Sequence, residues 1–325
     1  MTRSTTTVEQ GTATGREEEE RSRPAAGDVA RERLLAGLPV KERRLQLAGV
    51  STAVLEGGEG PPVVLLHGPG EFAAKWMRVI PDLVTTHRVI APDLPGHGAS
   101  EVTEGKLDAD RVFAWLAELI DQTCISPPAL VGHLLGGAIA ARFAVDHGDR
   151  LDRLVLVGAL GLGRFRPAPR FAVALVSPIA RPTERTHDRL CRRCTVDLDG
   201  VRQQMGERWE SFAAYSLDRA RTPSAKAALR TLMGKLGVPP IPEADLARIA
   251  VPTTLIWGRH NTGLRLRIAE TASSRYGWPL QVIENAGDDP AIEQPEALLD
   301  ALHAALNGAA TRRHNGGGFE PTTSG

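Results

Sequence analysis

The residues that could do chemistry begin at Val131-Gly132-His133-Leu134-Leu135-Gly136-Gly137, after the apolar run at residues 128–130 and before a helix-forming stretch at 138–145. A short buried strand, a bend flanked by glycines and then a helix is the setting of the G-x-S-x-G nucleophile elbow. Glycines two residues either side of the vertex let strand and helix approach closely, and the vertex residue is pushed toward a strained backbone conformation. A serine there would stand above the sheet as a nucleophile. The vertex is Leu134, which has no lone pair, no ionisable proton and no route to a covalent intermediate. His133, beside it, could shuttle protons or could simply pack under the sheet edge.

The elements that must position this bend follow in order. Residues 43–57 alternate apolar and polar around Ala48-Gly49, which predicts two antiparallel strands joined by a short turn. Pro62-Val63-Val64-Leu65-Leu66 is a buried strand ending at His67-Gly68-Pro69-Gly70, and residues 88–92 form another before the loop Asp93-Leu94-Pro95-Gly96-His97-Gly98-Ala99-Ser100. An amphipathic helix is expected over residues 108–122, further strands at 151–158, 252–258 and 279–283, and a last helix at 295–306. This alternation calls for an α/β fold, a mainly parallel sheet with helices on both faces. Between residues 161 and 243 the β-branched runs disappear and Arg, Pro and Ala dominate, which reads as a helical cap inserted into a core of residues 38–160 and 244–307. The Thr- and Glu-rich residues 1–37 and the Gly-rich residues 308–325 read as disordered tails.

Composition narrows the function classes. The 39 basic and 39 acidic residues cancel, so chain-wide charge makes no case for nucleic acid or an anionic membrane surface. The three cysteines are too few for a disulfide framework, no signal peptide is evident, and no stretch approaches a membrane span, so a cytoplasmic protein is expected. The expected partner is a small-molecule ligand or substrate, without a cofactor; a homodimer is left open.

Five motifs in this order, His67-Gly68-Pro69-Gly70, the Asp93 to Ser100 loop, the elbow, Trp257-Gly258-Arg259-His260, and Gly287-Asp288-Asp289-Pro290 before Glu293-Gln294-Pro295, resemble the α/β-hydrolase superfamily. The resemblance is to its cap-bearing branch of esterases, epoxide hydrolases, haloalkane dehalogenases and carbon–carbon bond hydrolases. It implies an eight-stranded sheet and an oxyanion hole built from the His-Gly loop and the residue after the nucleophile. Pro69 has no N–H, which leaves Gly70 or Glu71 and, at the elbow, Leu135. It also implies a triad, whose three positions hold Leu134 for the nucleophile, Asn261 for the acid and Asp288 for the histidine.

Each candidate keeps two readings. Asp288 could face an apolar pocket with a raised pKa and act as general acid or base, or it could point to solvent or cap the next helix with Asp289. Glu71 could touch a substrate or pair with an arginine of the cap. His67 is expected to buttress the oxyanion loop, Asp93 and His97 to stitch their own loop, and His260 to face either cleft or solvent. Cys191-Arg192-Arg193-Cys194, with His187 nearby, lacks a second ligand pair for zinc and reads as a helix face, so no metal is expected. Arg164, Arg166, Arg170, Arg181 and Arg185 could recognise an acidic substrate or form a solvated surface.

Three functions stay open. The first is a hydrolase-fold protein that binds or transforms a small lipophilic molecule without Ser-His-Asp hydrolysis, as a non-hydrolytic acid/base enzyme or a pseudoenzyme. The second is an ester or epoxide hydrolase using Asp288-activated water, and the third a non-catalytic interaction module.

Overall fold

The alternating segment before Gly57 forms a hairpin in the computed structural model, which describes residues 26–308. Strand β1 (Lys41–Leu47) pairs antiparallel with β2 (Val50–Gly57). The turn residues Ala48 and Gly49 both take positive φ, 46° and 76°, the sense that matches strand twist. Glu118 accepts from the Ala48 N–H at 2.7 Å and Arg111 donates to its carbonyl at 2.6 Å, which holds this alanine in a backbone region that favours glycine.

The remaining strands are β3 (Pro62–Leu66), β4 (Arg88–Pro92), β5 (Glu101–Val102), β6 (Ala129–His133), β7 (Arg153–Val157), β8 (Thr253–Gly258) and β9 (Leu280–Ile283). The sheet order is β1-β2-β4-β3-β6-β7-β8-β9, parallel from β4 onward. Those eight strands match the expectation, and the two-residue β5 adds a ninth by pairing with β2. Period-two alternation sorts the strand residues between two cores. Val64, Leu66, Leu130 and Leu154 join Trp115, Phe143 and Trp257 on one face, while Val63, Leu65, Val131 and Val155 join Trp76, Ile80 and Leu302 on the other.

The helices, in chain order, are α1 (Ala26–Leu35), α2 (Ile80–Leu83), α3 (Ala109–Thr123), α4 (Leu135–His147), α5 (Pro169–Ala180), α6 (Glu184–Cys194), α7 (Leu198–Met205), α8 (Glu207–Arg221), α9 (Pro223–Leu232), α10 (Glu243–Leu246), α11 (Arg267–Tyr276), α12 (Pro290–Glu293) and α13 (Pro295–Asn307). Asp108 caps α3 by accepting from Arg111 N at 3.0 Å. Helices α5 to α10 all lie between β7 and β8.

One expectation is corrected. Residues 26–35, placed in a disordered tail reaching residue 37, are helix α1, packed on α8 with Ala30 and Leu34 against Phe72, Met77, Trp209 and Tyr215. The segment reads as charged, but its central Arg31 is buried. Arg31 meets Asp93 and Glu42 at 3.0 Å each and donates to the Tyr215 hydroxyl at 3.2 Å. Partners so distant in sequence leave no local signal. The rest of both proposed tails, residues 1–25 and 309–325, lies outside the described residues.

Candidate functional site

Strand β6 ends at the bend, and Leu134 turns the chain into α4 with φ 45° and ψ −104°. A leucine in that region carries strain of about 1–3 kcal/mol, and the surrounding backbone enforces it. Its N–H donates to Val157 O at 3.1 Å, and its carbonyl accepts from Ala138 N and Leu160 N at 3.0 Å. A Cβ on Gly132 or Gly136 would lie 2.5 Å from backbone atoms of Gly136 or Leu66, so both elbow glycines are required by close approach. Leu134 is half-buried and packs against the core that holds Trp115, Phe143 and Trp257. The N–H of Leu135 sits in the first turn of α4, where no intrahelical acceptor exists.

Beyond β8, the loop that carries Asn261 is held by two side-chain bonds to its own backbone. Trp257 Nε1 donates to Leu264 O at 2.7 Å, and Asn261 Oδ1 accepts from Leu264 N. The Asn261 amide nitrogen and the Leu134 side chain border the same spot, 3.4 and 3.7 Å from where a Cβ on Gly158 would sit.

Asp288 is 5% exposed, so it does not point to solvent. Its Oδ1 accepts from Thr262 N at 2.8 Å and Gly263 N at 3.4 Å, tying the turn after β9 to the loop after β8. Burial pushes its carboxyl up to about 6, against the pull of those two N–H groups and the Cys194 thiol. The proposed helix cap is corrected too. Neither Asp288 nor Asp289 caps α12 through its side chain, because Asp288 is engaged by the 262–263 backbone and Asp289 by Lys75.

Four charged side chains converge behind the elbow. Lys75 Nζ meets Glu71 Oε1 at 2.7 Å and also pairs with Asp289, while Glu71 Oε2 accepts from Gly68 N at 2.7 Å and faces His133 Nδ1 at 3.4 Å. The expectation that Glu71 meets a cap arginine is therefore corrected: its cation lies one helical turn onward in its own segment. His133 Nε2 lies 2.8 Å from the Asp288 carbonyl, which can only accept, so this nitrogen carries a proton. With a carboxylate at Nδ1, both ring nitrogens are satisfied when His133 is an imidazolium. Burial opposes that charge, but Glu71 and Asp289 outweigh it and raise the pKa. Burial likewise opposes the Glu71 carboxylate, yet Lys75 and His133 hold it well below the usual range.

Lys75 and Asp289 carry this cluster, and neither was singled out from the sequence as a site residue; the one available signal was the i, i+4 spacing of Glu71 and Lys75. Glu293 was missed likewise. It accepts from Gly287 N at 2.9 Å, Asp289 N at 3.1 Å and Val196 N at 2.7 Å, and burial pushes it up to about 7.

The other candidates are placed as follows. His67 donates from Nδ1 to Gly68 O at 2.8 Å and accepts from Leu94 N at 2.9 Å, bracing the loop after β3 against the one after β4. Asp93 accepts from Ala73 N and Ala99 N and pairs with Arg31. His97 contacts Pro95 O at 3.2 Å and, with Gly70, Glu71, Ile179 and Leu229, lines a crevice of about 40 Å³. His260 is exposed, as are Arg164, Arg166, Arg170, Arg181 and Arg185. Cys191 and Cys194 sit at the end of α6, where burial pushes the Cys191 thiol up to about 12 and Cys194 well above its usual value.

Known proteins share this frame. The model of the "Alpha/beta hydrolase family" matches residues 63–301. An uncharacterized protein of Mycobacterium tuberculosis is 29% identical over 269 residues, 77% of this chain and 76% of that protein. The 2-hydroxy-6-oxo-6-(2'-aminophenyl)hexa-2,4-dienoic acid hydrolase of Metapseudomonas resinovorans is 27% identical over 280 residues, covering 82% and 91%. Among solved structures, carboxylesterase CesB from Bacillus subtilis superposes with a TM-score of 0.74 at 20% identity over 87% of this chain and 99% of its own. With a family model matching most of its length and a strand–turn–helix elbow on a mainly parallel sheet, the chain belongs to the alpha/beta hydrolase family.

Proposed function

We propose that this chain binds a small lipophilic molecule carrying a carbonyl or carboxylate oxygen and does not cleave it through a covalent intermediate. The observation that carries this reading is Leu134 at the elbow vertex, where its φ of 45° leaves an aliphatic side chain in place of a nucleophile. The Leu135 N–H, which has no intrahelical acceptor, suits a ligand oxygen, and the half-buried aliphatic side chain of Leu134 suits a lipophilic body. Hydrolases named for long hydroxy-oxo-dienoic acids among the relatives fit that ligand class. The degenerate triad positions, Leu134, Asn261 and Asp288, belong to this proposal, as do the oxyanion roles of Gly70 and Leu135; the Glu71 N–H instead donates to Gly68 O at 3.4 Å.

A second reading rests on Asp288 alone. A buried carboxyl pushed up to about 6 is poised for proton transfer near neutral pH, with His133 as a charged neighbour. That would support a non-hydrolytic isomerisation or elimination, or water directed at an ester or epoxide.

Restoring the nucleophile tests the first reading. Leu134→Ser alone is expected to add no more than about tenfold to ester turnover, because Asn261 carries no charge and Asp288 Oδ1 is already engaged. The check is hydrolysis of activated short-chain esters by the purified variant. Efficient turnover would reveal a base able to activate that hydroxyl and would overturn the proposal.

A further inference from the structure

Helix α5 (Pro169–Ala180) is apolar on two faces and covered on only one. Phe171, Ala174 and Pro178, spaced along one stripe, are buried. The stripe at Pro169, Val173, Val176 and Ala180 is exposed, with both valines at 60%. A helix apolar all round is normally enclosed. The exposed stripe is bracketed by Arg170 and Arg181, both exposed and in no ion pair among the described residues.

The charge around this helix is one-sided. Residues 161–194 hold eight arginines against Glu184 and Asp188, although the whole chain is neutral. Arg192 pairs with Asp188 and Asp199, and Asp188 also with Arg202, so seven of those arginines are in no ion pair among the described residues. Two copies of so basic a face would repel each other, and the stripe offers valines without the aromatic anchors that dominate protein interfaces. A short apolar ridge between arginines suits the boundary of a bilayer whose headgroups are anionic.

We propose that the outer face of α5 docks this protein on an anionic lipid surface. Val173 and Val176 enter the headgroup boundary while Arg170, Arg181 and the neighbouring arginines meet lipid phosphates. Docking is peripheral, since no helix among the described residues is long and apolar enough to cross a membrane. The same helix roofs the candidate site. Phe171 lies 3.2 Å from where a Cβ on Gly263 would sit, beside Asp288, and Ile179 lines the crevice at Gly70 and His97. The surface docking stands whether or not that site is catalytic.

The experiment is co-sedimentation of the full chain with phosphatidylcholine vesicles and with phosphatidylcholine–phosphatidylglycerol vesicles. At low salt, partition onto the anionic vesicles is expected to exceed that onto neutral ones by about tenfold or more and to fall as salt rises. Arg170→Ala with Arg181→Ala is expected to weaken it about tenfold, and Val173→Asp with Val176→Asp to abolish it. These four side chains are exposed, so both variants are expected to keep the wild-type circular dichroism spectrum and thermal midpoint. Absence of binding to anionic vesicles, equal binding to both vesicle types, or unchanged binding by both folded variants overturns the proposal. Retention on a polyglutamate resin without vesicle binding also overturns it, in favour of an acidic polypeptide. None of these readouts uses substrate, so failure here leaves the ligand-binding reading intact, and the reverse also holds.

Discussion

Lys75→Met is expected to destabilise the protein by about 3–5 kcal/mol, the cost of removing one partner from a buried ion pair. Lys75 is 3% exposed and neutralises both Glu71 and Asp289. Methionine keeps most of the volume, so the loss is electrostatic rather than a cavity. It leaves two carboxylates facing His133 alone. The Glu71 carboxyl is held down by Lys75 and His133, so its contribution is present above its ordinary pKa and is lost as pH falls through the folded value. The deficit of the variant should therefore shrink on acidification. Adding Glu71→Gln should recover part of the loss, because it removes one stranded charge. Urea unfolding with an unchanged m-value is the check; a Lys75→Met variant within about 1 kcal/mol of wild type would show that the cluster is not what holds the segment after β3 to the 288–293 turn.

The second large effect has the opposite sign. Asp288 has a folded pKa of about 6 against an ordinary 3.8, so the folded protein prefers it protonated. A raised pKa contributes stability below the unfolded value and loses it as pH rises through the folded one. Above pH 6 the buried carboxylate costs about 2–3 kcal/mol at most. Asp288→Asn keeps an oxygen for the Thr262 N–H and removes that charge. It is expected to be more stable than wild type by about 2 kcal/mol at pH 8, with the difference closing by about pH 4. Urea midpoints across that range test it. A difference that does not change with pH would mean that Asp288 does not titrate in this window. Glu293, pushed up to about 7, adds a dependence of the same sign to both proteins.

What could be read from the chain was what is encoded locally. Apolar runs such as Val63-Val64-Leu65-Leu66 set the strands, and the glycines at 132 and 136 mark an elbow because no Cβ fits there. Family motifs placed Leu134, Asn261 and Asp288 around one bend. The contacts that decide their chemistry depend on how the loops between the strands fold, which the motifs do not specify. Glu71 pairs with Lys75 rather than a cap arginine because the segment after Phe72 curls into a helical turn, bringing Lys75 round to it. Asp288 turns its carboxylate to the 262–263 backbone, an orientation that its motif does not specify. Helix α1 escaped notice for the same reason: its sequence is charged, and only Asp93 and Glu42 make burial of Arg31 tolerable. The neutral whole-chain charge likewise conceals the basic face around α5, since composition carries no position.

Steady-state turnover of activated short-chain esters and epoxides by the wild-type protein, beside Asp288→Asn, bears on the absence of nucleophilic hydrolysis without any engineered gain of function. Oxyanion donors and binding alone leave about 10³ to 10⁴-fold acceleration over water. The expected result is turnover no greater than that, equal in the two proteins. Clear multiple turnover that collapses in Asp288→Asn would contradict it, and would make this chain an enzyme that has moved its catalytic base to the position where relatives are expected to keep a histidine.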